Sequence, residues 1–343
     1  VKILHLLASP VFTGPADQVA QLALAQRALG HQVSVAIDAR RTDLTSEELA
    51  APRLRALDLL DDGDLELSVK SSPLAMLRDA ARLRRRSVDI VHCHFSHDHA
   101  LAWLGQPRNS HLVRSVHAPR SLRWSTPWAD AWTIPMDALS RRLLGKPVMV
   151  LPPLVADQFV PHPDRAGLRA QLGLPTQGPL IGLVSTFQPS RRHDLALQAF
   201  ALVAARQPAA HLVLVGDGAL GPQLKAQALT LGLSGRTHFV GYQSGPAFVR
   251  YLQALDEVWL LGLGNDFSGR AAAQARACGV RVVSVDEGGL PRSADQLVDR
   301  DAASLAAAAL SGERRAVTLE DATSIARRVV ELYEAARRTE VGP

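Results

Sequence analysis

The chain has 343 residues, of which 47% are hydrophobic and 21% charged, and a formal net charge of +5. That length exceeds one ordinary core and suits two, and the composition is that of a soluble globular protein. No apolar run is long enough to span a bilayer, and two cysteines, Cys93 and Cys278, build neither a disulfide framework nor a four-ligand zinc site. A cytoplasmic protein is the simple expectation.

Residues 1–8 form a short apolar run after a lone Lys2. They lack the longer apolar core and small-residue cleavage site of a secretory signal, so they read as a buried strand. Ser9-Pro10 ends it, and a loop passes through Gly14 and Pro15. Residues 16–29 are helical in period, with Val19, Leu22, Ala23 and Leu29 on one side and Gln26 interrupting the stripe, and Gly30 stops the helix. Next come a strand at 33–37, a helix at 74–86, strands at 88–94 and 112–117, a helix at 139–144 and a strand at 147–151. Pro152, Pro153, Pro161 and Pro163 mark a linker. Beyond it, strands at 180–186, 211–215, 238–240, 258–261 and 280–285 alternate with helices at 195–205, 220–231, 248–255 and 270–278. A last helix runs over 319–338.

Repeated strand–helix–strand units require parallel sheets covered on both faces. The expected fold class is therefore α/β, two Rossmann-like doubly wound domains facing a shared cleft. Ligands in such sheets meet the carboxyl ends of strands. That rule selects residues 9–14, 94–98, 117–120, 186–192, 216–218, 241–242 and 264–269.

Several motifs sit there. Gly216-Asp217-Gly218-Ala219-Leu220-Gly221 fits the dinucleotide pattern, yet the next strand ends Phe239-Val240-Gly241-Tyr242, without the acidic residue a nicotinamide site needs. A tight strand-to-helix turn is the plainer reading. His92, His94, His97, Asp98 and His99 are a dense set of metal-ligand types in the wrong spacing for a binuclear site. A loop with His97 and His99 capping a helix is favoured over a metal centre. Asp62-Gly63-Asp64 reads as a turn. His117 ends a strand, as an acid/base or a structural histidine does. Arg191 and Arg192 at a helix entry suit a diphosphate or a solvated loop. Two basic clusters, Arg82/Arg84/Arg85/Arg86 and Arg141/Arg142/Lys146, either offset helix dipoles or meet an anionic lipid or substrate. Without interleaved aromatics they do not suggest nucleic acid.

The order of Lys2-Ile3-Leu4-His5, Gly14-Pro15-Ala16-Asp17-Gln18, Leu29-Gly30-His31-Gln32-Val33 and Asp89-Ile90-Val91-His92-Cys93-His94 resembles the first domain of family 4 of the retaining glycosyltransferases, which have the GT-B fold. Leu212-Val213-Leu214-Val215-Gly216-Asp217-Gly218, Phe239-Val240-Gly241, Ala277-Cys278-Gly279-Val280 and Gly288-Gly289-Leu290-Pro291 are similar to its second. The last helix, with Leu332-Tyr333, resembles the family's closing helix. The resemblance implies an acceptor domain over 1–155, with the helix at 319–338 packing back, and a nucleotide-sugar domain over 165–318. It implies metal-independent transfer of a sugar from a nucleotide-diphosphate sugar to a sugar, lipid-linked or other hydroxyl acceptor, with retention and no cofactor.

Carried onto this chain, the family's pattern puts His117, Arg191 and Asp266 at the reacting centre. Gly14, Thr186, Arg192, Gly216, Gly218, Tyr242, Ser268, Gly269, Arg270 and Gln274 fall around the donor. The chain departs from the pattern at the phosphate and ribose contacts. The family's arginine falls on Thr186, its lysine on Arg191, and its two glutamates on Asp266 and Gln274. Pro15 replaces a glycine and removes an N–H. Two readings follow: a transferase with a divergent donor site, or a pseudoenzyme that binds or scaffolds. Peripheral contact with an anionic membrane is expected through the arginines at 82–86.

Overall fold

A computed structural model describes every residue except 39–48, 69–71, 144, 264–266 and 339–343. The chain divides into two compact units, Val1–Leu154 with Glu320–Pro343, and Val155–Leu319.

The first unit is built on strands β1 (Lys2–Leu7), β2 (Gln32–Ile37), β3 (Ile90–Cys93), β4 (His111–Ser115), β5 (Ala131–Ile134) and β6 (Val148–Val150). They form one parallel sheet in the order β2-β1-β3-β4-β5-β6. The order reverses between β1 and β3, which defines the switch point of a doubly wound sheet. Helices α1 (Gly14–Ala28), α2 (Ala50–Ala56), α3 (Pro73–Arg84) and α4 (Ser96–Gly105) follow the early strands. The sheet is buried on both faces, so its strands read as apolar runs rather than alternations.

The second unit repeats the plan. Helix α5 (Arg165–Gln171) leads into β7 (Leu180–Val184), α6 (His193–Arg206), β8 (His211–Val215), α7 (Gly221–Thr230), β9 (Thr237–Gly241), α8 (Gly245–Ala254), β10 (Glu257–Leu260), α9 (Arg270–Ala277), β11 (Arg281–Ser284), β12 (Gln296–Leu297) and α10 (Ala302–Ser311). Its six strands are parallel in the order β12-β11-β10-β7-β8-β9, with the switch point between β7 and β10. The last helix, α11 (Ala322–Arg338), belongs to the first unit. It packs Ile325, Val329 and Tyr333 among Leu22, Ile90 and Val113.

Several expectations are corrected. The helix expected at 139–144 is a 3-10 helix, Asp137–Arg142. Strand β4 stops at Ser115, so His117 lies in the following loop. The Pro-rich passage gives way to a helix at Arg165, because Asp164 caps it by accepting the Gly167 N–H at 2.8 Å. Helix α4 is capped by a carboxylate and not by His97 or His99: Asp98 accepts the Phe95 N–H at 2.8 Å. Among the arginines at 82–86, Arg84 and Arg85 are exposed, while Arg82 and Arg86 meet carboxylates. Arg82 pairs with Asp64, Glu66 and the buried Asp79, Arg86 pairs with Asp61 and Asp64, and Arg84 donates to the Leu104 carbonyl. The acidic loop around Asp62-Gly63-Asp64 is thus the partner of this helix end.

Candidate functional site

In the second unit the expected donor residues gather at the carboxyl ends of the parallel strands. The loop after β7 carries Thr186, exposed, and then a short 3-10 turn, Pro189–Arg191. Arg191 donates from Nη1 to the Gly262 carbonyl at 2.8 Å. Gly262 lies just after β10, so this bond joins the two loops that diverge at the switch point. The approach needs a glycine, since a Cβ at 262 would lie 2.0 Å from the Ser190 carbonyl oxygen. Arg192 follows with φ 55°, a left-handed conformation rare for arginine, and its Nε lies 3.3 Å from Asp194. Such local strain clusters at functional turns. Helix α6 starts at His193, which is buried, and burial lowers its pKa to about 4, with the nearby Arg191 adding to the effect.

The Gly216-Asp217-Gly218 turn supports this loop. A Cβ at Gly216 would lie 2.0 Å from the Ser185 carbonyl oxygen, and one at Gly218 would lie 2.7 Å from the Phe187 carbonyl oxygen. The Gly216 N–H donates to the Gly241 carbonyl at 2.9 Å, and the Gly218 N–H to the Asp217 carboxylate at 2.7 Å. Both amides are thus hydrogen-bonded within the turn and to the neighbouring strand. The role of the two glycines is to let the Ser185–Phe187 backbone lie against the turn. Tyr242, one residue past Gly241, is 71% exposed at the same sheet edge.

Ser268 and Gly269 lead into α9. Gly269 adopts φ 77°, and a Cβ there would meet the Gly289 backbone at 2.6 Å. Arg270 is the first residue of α9, and Gln274 is buried one turn later. Asp266, expected beside the donor sugar, lies outside the described residues.

In the first unit Gly14 opens α1 at the end of the loop after β1. His117 is half-buried two residues past β4, with its ring 5.6 Å from that of His94 and 5.9 Å from Phe95. Behind it lies a network that the sequence reading did not anticipate. His5 on β1, His92 on β3 and His94 are fully buried with rings stacked at 4.6–5.3 Å. His5 Nε2 donates to Gln26 Oε1 (2.9 Å), and Gln26 Nε2 donates to Tyr333 Oη (2.9 Å). The Tyr333 hydroxyl hydrogen then goes to His92 Nδ1 (2.7 Å), and His92 Nε2–H to Ser115 Oγ (2.8 Å). Burial lowers all three histidines, His5 to about 4, and the nearby His5, His117 and Arg114 add to the effect on His92 and His94, so the imidazoles are neutral at pH 7. Their donor atoms lie within 4.8 Å of one another. His5 Nδ1 and His94 Nε2 hydrogen-bond each other at 3.0 Å, however, and the remaining nitrogens of His5 and His92 are engaged by Gln26, Tyr333 and Ser115. The cluster fits a structural role better than a metal centre. Nearby, buried Asp98 accepts backbone N–H groups from Ala8, His94 and Phe95 and faces Arg114 at 3.9 Å. Burial pushes its carboxyl up to about 7 against those stabilising contacts.

Two parallel six-stranded Rossmann-like sheets are the arrangement of the GT-B fold. Residues 12–153 match Glycosyltransferase Family 4, and residues 164–306 match Glycosyl transferases group 1. The chain belongs to this group 1, family 4 of glycosyltransferases. A D-inositol 3-phosphate glycosyltransferase of Mycobacterium leprae is 28% identical over 265 residues, covering 68% of this chain and 60% of the relative. The same enzyme of Mycobacterium sp. is 29% identical, with 68% and 59% covered. The chain therefore matches less than two thirds of these relatives' length. Among solved structures, Anabaena HepE in complex with UDP and glucose superposes with a TM-score of 0.70 at 18% identity, covering 100% of both chains. A Rickettsia africae glycosyltransferase superposes at 0.73 with 15% identity, covering 99% and 97%.

Proposed function

We propose that the protein transfers a sugar from a nucleotide-diphosphate sugar to an acceptor hydroxyl, with retention of configuration and without a metal. The second unit holds the donor and the first the acceptor. The observation that carries this reading is the Arg191–Gly262 bond, which holds a guanidinium at the β7/β10 switch point. There it stands where a leaving diphosphate gathers charge as the glycosidic bond breaks. Amides around Ser268–Arg270 receive the β-phosphate, helped by the positive end of α9. Gln274 bonds a ribose hydroxyl, and Tyr242 covers the base. Arg192 adds a second cation. Asp266 orients the donor sugar, and His117 faces the reacting sugar or its acceptor. The family's cation at position 186 is a threonine here, so Arg191 and Arg192 carry charge that relatives share with another arginine. The base is uracil, by likeness to HepE, whose structures hold UDP and UDP-glucose.

The second reading, a nucleotide-binding pseudoenzyme, rests on Thr186 and Gln274. Release of UDP from UDP-sugars separates the two. A transferase releases nucleotide, slowly by donor hydrolysis and faster with an acceptor. A protein that binds UDP-sugar tightly and never releases UDP is the pseudoenzyme.

A further inference from the structure

The chain has five tryptophans. Trp132 and Trp259 are buried. The other three are exposed and lie on two touching elements of the first unit, α4 and the loop between β4 and β5: Trp124 at 98%, Trp128 at 49% and Trp103 at 44%. Trp124 and Trp128 lie in the loop between β4 and β5, which begins just after His117. Trp103 is on α4, one turn beyond His99, whose Nε2 lies 3.3 Å from the Trp128 carbonyl. Exposing one indole fully and two by half is costly in water unless something covers them.

Most of the charges near them are positive. Arg120 and Arg123 precede Trp124 in the same loop. Arg142 ties the 3-10 helix to this loop by donating to the Leu122 carbonyl at 2.5 Å, which brings Arg141 alongside. The Lys146 ammonium stands 5.8 Å from the Trp128 ring. None of these five cations pairs with a carboxylate among the described residues. The same stretch holds two carboxylates. One is Asp130, which is buried and accepts the Leu112 N–H, and the other is Asp137. By contrast, Arg82 and Arg86, which the sequence suggested for a charged surface, are consumed by the acidic loop.

Indole favours the headgroup level of a bilayer, and unpaired Arg and Lys are drawn to anionic lipid. We propose that the β4–β5 loop, with Trp103, Trp124 and Trp128 ringed by Arg120, Arg123, Arg141, Arg142 and Lys146, docks the first unit on an anionic phospholipid surface. Because the loop starts at His117, docking brings the strand ends of this sheet close to the headgroups. The inference stands apart from the donor chemistry and survives even if the donor site is inert.

The test is co-sedimentation of the full chain with phosphatidylglycerol-containing and pure phosphatidylcholine vesicles, with tryptophan emission recorded in parallel. The wild type is expected to pellet with anionic vesicles only, with blue-shifted emission, and to be released by high salt. Trp124→Ser/Trp128→Ser and, separately, Arg123→Glu/Arg141→Glu each reduce binding about tenfold or more. Circular dichroism and thermal melting check that both variants fold, and the charge variant keeps all tryptophans. The proposal is overturned if the wild type ignores anionic vesicles at low salt, binds both vesicle types equally, or is matched by either variant. Self-association through this face without vesicle binding, lost in Trp124→Ser/Trp128→Ser, overturns it in favour of a second copy.

Discussion

The Tyr333 hydroxyl on the last helix lies 2.7 Å from His92 Nδ1 in the first sheet, 241 positions earlier in the chain. Together with Gln26 it ties α11 to β1 and β3 through fully buried polar atoms. Removing the hydroxyl leaves the Gln26 amide and the His92 nitrogen unpaired in a dry core. Tyr333→Phe is therefore expected to cost about 1–3 kcal/mol of stability, read by chemical denaturation. A variant as stable as the wild type contradicts the network.

The same histidines set the acid sensitivity. Free imidazole titrates near 6.5, and His5 and His193 are lowered to about 4 and His99 to about 3, chiefly by burial. Below pH 6.5 the unfolded chain binds protons that the folded one refuses, so stability falls as pH drops from 6.5 toward about 4. Each such group contributes up to about 1.4 kcal/mol per pH unit. Asp98, raised to about 7, and Glu257, also raised by burial, work in the opposite direction, but as two carboxyls against His5, His92, His94, His99 and His193. Melting temperature measured across this range is expected to fall on acidification. His5→Gln should flatten part of that slope.

Gly216→Ala tests the support under the donor loop. The new Cβ meets the Ser185 carbonyl oxygen at 2.0 Å, and φ 153° already disfavours a side chain. The loop that carries Thr186 and Arg191 must shift. Stability is expected to drop by about 1–3 kcal/mol, and nucleotide affinity should fall with it in a calorimetric titration. Unchanged affinity would mean that the turn does not shape the site.

Arg191→Ala removes the proposed diphosphate cation and its bond to Gly262. The expected loss in nucleotide release is about 10²–10³-fold, by comparison with a lost oxyanion donor. Arg191→Lys keeps the charge without the planar fork and should recover part of the rate. If Arg191→Ala turns over like the wild type, another cation carries the charge.

Much of the fold was legible because buried parallel strands are continuous apolar runs, as in Leu212–Val215, punctuated by Gly216 or Gly30. The elements missed have other causes. Helix α10 is mostly alanine and has no period to read, and β5 is a four-residue strand behind the exposed tryptophan loop. At the site, the loops bearing Thr186 and Arg191 were found from strand ends, but the Gly262 carbonyl that holds Arg191 is a backbone atom with no sequence signature. The Gly216-Asp217-Gly218 pattern reads as a tight strand-to-helix turn, and both glycine amides bond within that region. Gln26, an interruption in an apolar stripe, was the one visible trace of the His5–Tyr333 network. Arg86 looked free because its acidic partners, Asp61 and Asp64, stand more than twenty residues earlier.

The central claim is that the second unit holds a nucleoside diphosphate through Arg191. Thermal unfolding of the wild type and Arg191→Ala with and without saturating UDP tests it most directly. A ligand at about 100 times its Kd adds about 2.7 kcal/mol, so a clear rise in Tm is predicted for the wild type, with most of it lost in Arg191→Ala. No rise with UDP or any other nucleoside diphosphate, or an equal rise in both proteins, would contradict it.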